Sequence, residues 1–538
     1  MSSKKEIWTS VLIAIIIVGM GWYLVKHVSD RLSGLTGKRT VEIDRTTRST
    51  DWGKLTLVLK TIEDNYVDEI DQDKITEEIL PMILSKLDPH SAYFTPEDFE
   101  VADEDLQGGF DGIGIQFNVP NDTAIVTNVI AGGPSEKAGI LSGDRILKVD
   151  DRDIAGVNMP QDSMVRLMRG KKGTKVVISV GRSGESKPIP FDIIRDKIPQ
   201  KSVDVAFMLN DTTGYVKLSK FSRTSYLEFL KAEVLLRAQG MKRLIFDLRD
   251  NSGGYLDQAI QLSNEFLEEG KLITYMEGVH SERQDIFADG KGFAQNLELA
   301  VLINEYSASS SEIFTGAMQD NDRATVYGVR SFGKGLVQEP ITFSDGSGVR
   351  LTIARYHTPT GRCIQKPYDG SDDYAYDILE RFQSGEMMSA DSIKVNDSLK
   401  YVTPGGKVVY GGGGIIPDVF VPLDTVGVTD FMVKCNRQSL QVKFANKMCD
   451  QYRARIREIK DMEALEKFLA TLDLKGLFLK YAAENGAVPQ PGEWERSGET
   501  ILTQIRAIIG RYTPMDDDAF YPIYLTIDKT VQRALQGD

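Results

Sequence analysis

NEYSASSSEIFTGAMQDNDRATVYGVRSFGKGLVQ, the stretch from Asn304 to Gln338, decides how the rest of the chain is read. It follows a short apolar run, Leu299 to Ile303, so strand, tight turn and helix set Ser309 at a helix start. Free amides of the first turn and the helix dipole favour developing negative charge there. Ser309-Ser310-Ser311-Glu312 is also an S-x-x-E capping box, and on spacing alone the cap is the stronger reading.

Lys334 changes that balance. It stands between Gly333 and Gly335, with no histidine between it and Ser309, and a period of two puts Lys334, Leu336 and Gln338 on one strand face. Gln338 is then placed to hold the amine. A lysine acts as a general base only when neutral, and lowering its pKa from about 10.4 toward 7 costs about 4 kcal/mol, which desolvation can supply. The alternative is a solvated loop lysine.

Upstream, Gly214 to Phe221 reads as a strand, Ser225 to Gln239 as a helix, and LIFDLR, Leu244 to Arg249, as a strand of a buried central sheet. The turn DNSGG, Asp250 to Gly254, leads into a helix over Leu256 to Leu267, so the amides of Gly253 and Gly254 can face a ligand. As a phosphate loop it lacks both GxGxxG and the lysine of GxxxxGK[ST].

Between Gly108 and Ile198 the pattern is of short strands (Ile113 to Val119, Ala124 to Val129, Ile146 to Val149, Val176 to Val180, Ile189 to Ile194) with helices at Ser135 to Ala138 and Gln161 to Met168. GIGIQF at Gly112 to Phe117, GGPSEKAGILSGDRILKVDD at Gly132 to Asp151 and RGKKGTKV after the second helix resemble a PDZ domain. Gly112 and Gly114 let backbone amides turn inward as a nest for a terminal carboxylate. Gly112, Ile113, Gly114 and Ile115 are thus the expected peptide C-terminus site, and the following strand can pair with the incoming peptide. Arg169, ending the second helix, is a candidate sensor of bound peptide; a basic residue is also favourable at a helix C-terminus.

The whole run from Ser307 to Gln338 resembles the signature of the carboxyl-terminal processing proteases (tail-specific proteases), serine peptidases of family S41 with an upstream PDZ domain and a serine–lysine dyad. The resemblance implies Ser309 as nucleophile, Lys334 as general base and Gln338 as the lysine-orienting residue. It implies an oxyanion hole from the backbone amides of Ser310 and of Gly253 or Gly254. Ser310 stands where that family usually has alanine, tolerable if only its N–H is used. DPHS at Asp88 to Ser91, LRDNSGG, ARYHTPTGRCIQ at Ala354 to Gln365 and GGGGIIPDV at Gly411 to Val419 also fit, so the likeness spans roughly residues 50 to 423. His357 replaces the usual tyrosine, and His90 in the DPHS loop reads as structural.

The length of 538 residues suggests several domains, and a net charge of −14 argues against a general nucleic-acid binder, so no nucleic-acid partner is expected. Cys363, Cys435 and Cys449 and the scattered histidines match no metal pattern, so neither metal nor cofactor is expected; a Cys435–Cys449 bridge is conceivable. Ile7 to Val25, uncharged and carrying Trp8, Trp22 and Tyr23 near its two ends, nearly spans a hydrocarbon core of about 30 Å and reads as an uncleaved single-pass anchor. Flanking charge leaves its orientation open; the family resemblance puts the body in a periplasm or otherwise outside the cytoplasmic membrane.

The expected fold is α/β and mixed. It comprises an anchor (1–27), a linker (28–50), a helical segment (51–107) and a PDZ domain (108–198). A crotonase-like α/β protease core (199–428) with a polar insertion (366–405) and a helical accessory domain (429–538) follow. The expected function is a serine endopeptidase that takes substrates with free C-termini and passes through an acyl-enzyme, the helical domain serving packing, an adaptor or self-association. A membrane-anchored PDZ scaffold with an inactive core is the alternative from another class, and a crotonase-like acyl transferase a third.

Overall fold

The computed structural model describes residues 53–99, 107–120, 122–130, 132–368, 373–425 and 427–537. The apolar segment Ile7 to Val25 and the linker 28–50 lie outside these residues; among the described residues no helix is long and apolar enough to cross a membrane. The chain divides into two compact units between Ile79 and Leu80. The expected helical segment 51–107 contains two helices, Gly53–Asn65 and Gln72–Leu84, the second including Pro81.

The α/β core is built on a six-stranded sheet in the order Val203–Met208, Thr213–Leu218, Arg243–Asp247, Glu298–Ile303, Thr325–Gly328, Val419–Phe420. The first pair is antiparallel and the rest are parallel. Alternation along the strands sends Leu244, Phe246, Val301 and Ile303 to one face, where they pack with Phe229, Phe266 and Phe314 of three covering helices. Ile245, Ala300, Leu302 and Tyr327 face the other way, against Leu525, Val531 and Ala534 near the C-terminus. Both faces are therefore dry, which is why these strands read as unbroken apolar runs.

A second sheet joins Ala92–Phe94, Leu336–Thr342, Gly348–His357, Leu272–Gly278 and Ser281–Phe287. It carries the DPHS loop and the strand after Lys334. The polar insertion is ordered where described: it holds a helix, Asp373–Gln383, and a strand, Lys400–Val402, paired with Val408–Tyr410. That insertion is tied inward by Glu386, whose carboxylate meets Arg330 at 2.6 Å and Arg381 at 3.0 Å.

The PDZ sheet runs Ile115–Asn118, Ala124–Val129, Arg145–Val149, Lys175–Gly181, Ile189–Ile194 around a core of Val126, Ile146, Ile178 and Met164. Beyond Thr429, the helical accessory region opens with three helices, Asp430–Arg437, Leu440–Gln451 and Arg453–Glu458, the first two separated at Ser439, where φ is +53°, and the last two at Tyr452. Leu474–Glu484, Glu493–Arg511 and Asp517–Tyr524 complete a core around Phe444, Phe478 and Ile505. Cys435 and Cys449 are buried free thiols there, so the conceivable bridge is not made. These helices also meet the PDZ domain: Arg453 donates to the Gly143 carbonyl at 2.7 Å and Asp450 pairs with Arg145 at 2.5 Å.

Candidate active site

Two adjacent parallel strands each end in a strand-to-helix turn, and the two turns are stitched together. Asn304 and Asp250 exchange hydrogen bonds, the side-chain amide of Asn304 giving to Asp250 at 2.8 Å and accepting its N–H at 2.9 Å. Ser307 Oγ donates to the Leu248 carbonyl at 2.7 Å and Ser311 Oγ to the Asn251 carbonyl at 2.8 Å. Ser309 emerges where they meet, at the carboxyl ends of the strands, the usual ligand position of an open α/β sheet. Its backbone is strained, with φ +56° and ψ −115°, and the helix behind it, Ser310–Asp320, is buried along its whole length.

Gly253 lies against this turn so closely that a Cβ would sit 2.8 Å from the Ser309 Cβ and 2.9 Å from the Ser310 nitrogen. Its own N–H donates to Asn251 Oδ1 at 2.9 Å. A bridge to Phe221 uses the Gly253 carbonyl and the Tyr255 N–H, which leaves the polar groups of Gly254 facing the other way. The Gly254 carbonyl accepts the Ser310 hydroxyl at 2.9 Å, so the serine in place of alanine ties the helix start to the glycine turn. Among the described residues no group accepts the N–H of Gly254 or of Ser310.

Lys334 precedes the strand Leu336–Thr342 rather than lying in it, and the register shifts between Val337 and Gln338. The simple period of two is thus broken, yet the expected pair forms: Lys334 Nζ donates to Gln338 Oε1 at 3.0 Å. Burial, then the positive charge of Arg350, lowers the Lys334 pKa, opposed by Glu312 and Asp88. The solvated-loop alternative does not hold.

Ser309, Ser310, Gly253, Gly254, Lys334 and Gln338 all line one cleft of about 1180 Å³, together with apolar Leu256, Ile260, Met276 and Ile313. The PDZ residues Gly112, Ile113, Gly114, Ile115 and Arg169 are not part of it. Gly114, with φ +78°, makes the turn between two strands, and the strand Ile115–Asn118 is the edge of its sheet. Arg169 stacks over the Phe110 ring at 4.5 Å, two residues before Gly112. His357 lies outside the cleft, stacked on Tyr275 at 4.6 Å.

Two residues that sequence reasoning did not assign to the site hold Ser309 and Lys334 together. Glu312, noted only as a capping residue, is fully buried. Its Oε2 accepts the N–H of both Ser309 (2.9 Å) and Lys334 (2.8 Å), and its Oε1 takes Ser331 Oγ (2.5 Å) and the Gly333 N–H (2.7 Å). Burial raises its pKa, with these four bonds pulling the other way. Tyr356, in the ARYHTPTGRCIQ run, reaches the carbonyls of the same pair, Lys334 at 2.8 Å and Ser309 at 3.2 Å. Only the S-x-x-E spacing pointed toward either residue.

A serine on a strained helix start and a desolvated amine in one cleft, beside a PDZ fold, fit a PDZ-bearing serine peptidase. Residues 212–378 match the family described as Peptidase family S41, and residues 112–192 match the PDZ domain. A probable CtpA-like serine protease of Staphylococcus haemolyticus is 32% identical over 412 residues, covering 74% of this chain and 80% of the relative. Its Staphylococcus aureus counterpart is 33% identical over 365 residues, covering 67% and 71%. The chain belongs to peptidase family S41 and is a serine protease similar to these CtpA-like enzymes. Among solved structures, a photosystem II D1 C-terminal processing protease aligns at 24% identity, covering 73% of this chain and 92% of that one, with a TM-score of 0.38.

Proposed function

We propose that this protease processes proteins from their C-termini through a Ser309–Lys334 dyad and an acyl-enzyme. The observation that carries the reading is the Lys334 amine: half-buried in the cleft that Ser309 lines, bonded to the neutral amide of Gln338, and lowered in pKa. A lysine kept for solubility or for an ion pair has no need of that environment, which also weighs against an inactive scaffold.

Ser309 Oγ attacks the scissile carbonyl carbon as its proton passes to Lys334 Nζ. The tetrahedral oxyanion is held by the amides of Ser310 and Gly254, Gly253 serving as the close-packed support beneath them. Collapse breaks the C–N bond, the Lys334 ammonium returns the proton to the departing amine, and Ser309 is left as an ester. Water then attacks with Lys334 again as base, releasing the new carboxyl end and the free serine. The apolar wall of the cleft favours an apolar side chain beside the scissile bond.

The PDZ edge strand Ile115–Asn118 would take the substrate end as an added strand, its carboxylate in the Gly112–Gly114 turn. Arg169, resting on Phe110 beside that turn, is suited to sense occupancy. Ile7 to Val25 would anchor the chain once in the cytoplasmic membrane with the body outside the cytoplasm. An adaptor or a second copy on the helical region 429–538 belongs to the same reading.

The deciding experiment incubates wild type, Ser309→Ala and Lys334→Ala with a disordered protein, with and without its free C-terminus. Cleavage by wild type alone, faster with the free end, is expected. Full activity in either folded variant would sink the dyad, and indifference to the C-terminus would sink the PDZ role.

A further inference from the structure

The Gln338 amide has two nearly equivalent faces, and only one is compatible with a lysine base. With Oε1 toward Lys334, the amine donates one N–H and keeps its lone pair for the serine. With the NH₂ turned that way, the lone pair is taken up by the amide. What decides between the two is the group on the far side of Gln338. That group is the backbone carbonyl of His90, which can only accept, and it receives Gln338 Nε2 at 2.6 Å. Oε1 is thereby turned toward Lys334.

The His90 carbonyl is itself held from two directions. On the chain side, Asp88 Oδ1 accepts the N–H of His90 at 2.8 Å and of Ser91 at 2.7 Å, and Oδ2 takes Ser91 Oγ at 2.6 Å. Ser91 Oγ accepts the Thr352 N–H at 3.1 Å, fastening the loop to the strand opposite Gln338. From outside, the His90 imidazole meets the hydroxyl of Tyr374, Nε2 to Oη 2.5 Å, with the rings edge to face at 5.3 Å. Tyr374 belongs to the helix Asp373–Gln383 of the insertion, and Gln365 Nε2 reaches its hydroxyl at 3.4 Å. Burial, then the Lys334 charge, pushes the His90 pKa down to about 4, so the ring is neutral near pH 7.

We propose that His90 and Tyr374 are positioning residues for the reaction: Tyr374, supplied by the insertion, fixes the His90 loop, and the His90 carbonyl fixes the orientation of the Gln338 amide and so the lone pair of Lys334. This inference rests on the dyad reading. Neither side chain is asked to touch the substrate. The charged and titratable groups that bear on the amine are Arg350 from the strand, Glu312 from the buried helix, and Asp88 and His90 from the loop.

The test is Tyr374→Phe, which removes one hydroxyl and keeps the ring. With the His90 loop no longer pinned by that hydroxyl, its carbonyl holds the Gln338 amide less firmly and the amide spends time reversed, which lowers kcat roughly tenfold to a hundredfold while KM stays put. A reversed amide also stabilises the neutral amine, so the acid limb of the kcat profile moves to lower pH. The same change made in Gln338→Ala is expected to cost nothing further, because the group it acts through is gone. Wild-type kcat and pH limb in folded Tyr374→Phe overturn the inference, as does an equal loss of kcat in both backgrounds. Lys334→Ala, run alongside, separates the two levels: if it is active the dyad itself is wrong, and if it is inactive while Tyr374→Phe is normal only the positioning fails.

Discussion

Replacing Glu312 by glutamine changes one oxygen to NH₂ in a site where three backbone N–H groups and the Ser331 hydroxyl donate to the carboxylate, and of these only the hydroxyl can turn to accept. The carboxylate receives two donors on each oxygen, at 2.5 to 2.9 Å. With the NH₂ on the side of Ser309 and Lys334, both backbone donors there meet a third donor instead of an acceptor. Two lost bonds with buried, unsatisfied groups cost about 2–6 kcal/mol, and relief from burying a charge returns part of it, leaving a net loss of about 3 kcal/mol. For a cooperative unit of a few hundred residues, that lowers the unfolding midpoint by roughly 6–12 °C. The larger consequence is catalytic. If the amide presents its nitrogen to Ser309 and Lys334, the contact joining their backbones becomes repulsive, and a displacement of a few tenths of an ångström to 1 Å lowers kcat by about 10². Differential scanning calorimetry and turnover of a disordered protein, measured on the same preparation, check both. An unchanged midpoint together with unchanged kcat would refute the view that Glu312 joins the two halves of the site.

Arg350→Gln removes the positive charge that, after burial, does most to lower the Lys334 pKa. Since the amine works only when neutral, activity rises with pH through that pKa; the acid limb of kcat/KM therefore moves to higher pH in Arg350→Gln and stays in place in Arg350→Lys. Gly253→Ala sets a methyl 2.8 Å from the Ala308 carbonyl oxygen at φ +102°, so Ser309 must shift. A strain of about 1–3 kcal/mol with a kcat loss of about 10² is expected by calorimetry and peptide turnover. Arg453→Ala gives up the Gly143 carbonyl at 2.7 Å and Asp450 at 2.9 Å. It should speed hydrogen exchange in the PDZ segment around Gly143 while leaving the helix Ser310–Asp320 protected.

What the sequence disclosed followed from local chemistry. Apolar runs such as Leu299 to Ile303 announced dry strands, and the glycines around Ile113 announced the PDZ turn. The motif around Ser309 and Lys334 named the pair that one cleft unites. What it concealed depended on contacts between distant segments. Lys334 and Gln338 meet across a register shift, which a strict period of two does not contain. Tyr356 reaches the carbonyls of Lys334 and Ser309, 22 and 47 positions away, from a strand read only as a landmark. Insertion residue Tyr374 touches His90 across 284 positions. The last helices, whose purpose composition left open, cover the second face of the central sheet with Leu525 and Val531, a role set by the alternation of strands far upstream.

The way Ser309 and Lys334 are fastened says where such a site can be switched. They arise from different sheets, and their backbones are bracketed by Glu312 on the amide side and Tyr356 on the carbonyl side. Separating the backbones means breaking several buried bonds, each costing about 1–3 kcal/mol, which makes that motion expensive. The amine end is different. Among the described residues it has one side-chain hydrogen bond, to Gln338, which is held in turn by the carbonyl of His90. On the proposed dyad, turning the Gln338 amide, or moving that loop by an ångström, would silence Lys334 while the backbone contacts of Glu312 and Tyr356 to Ser309 and Lys334 survive. Under the proposed dyad, any signal that reaches only the His90 loop and Gln338 is enough to change activity. The expected signature is a change in kcat and its pH limb with no change in the protection of the helix Ser310–Asp320.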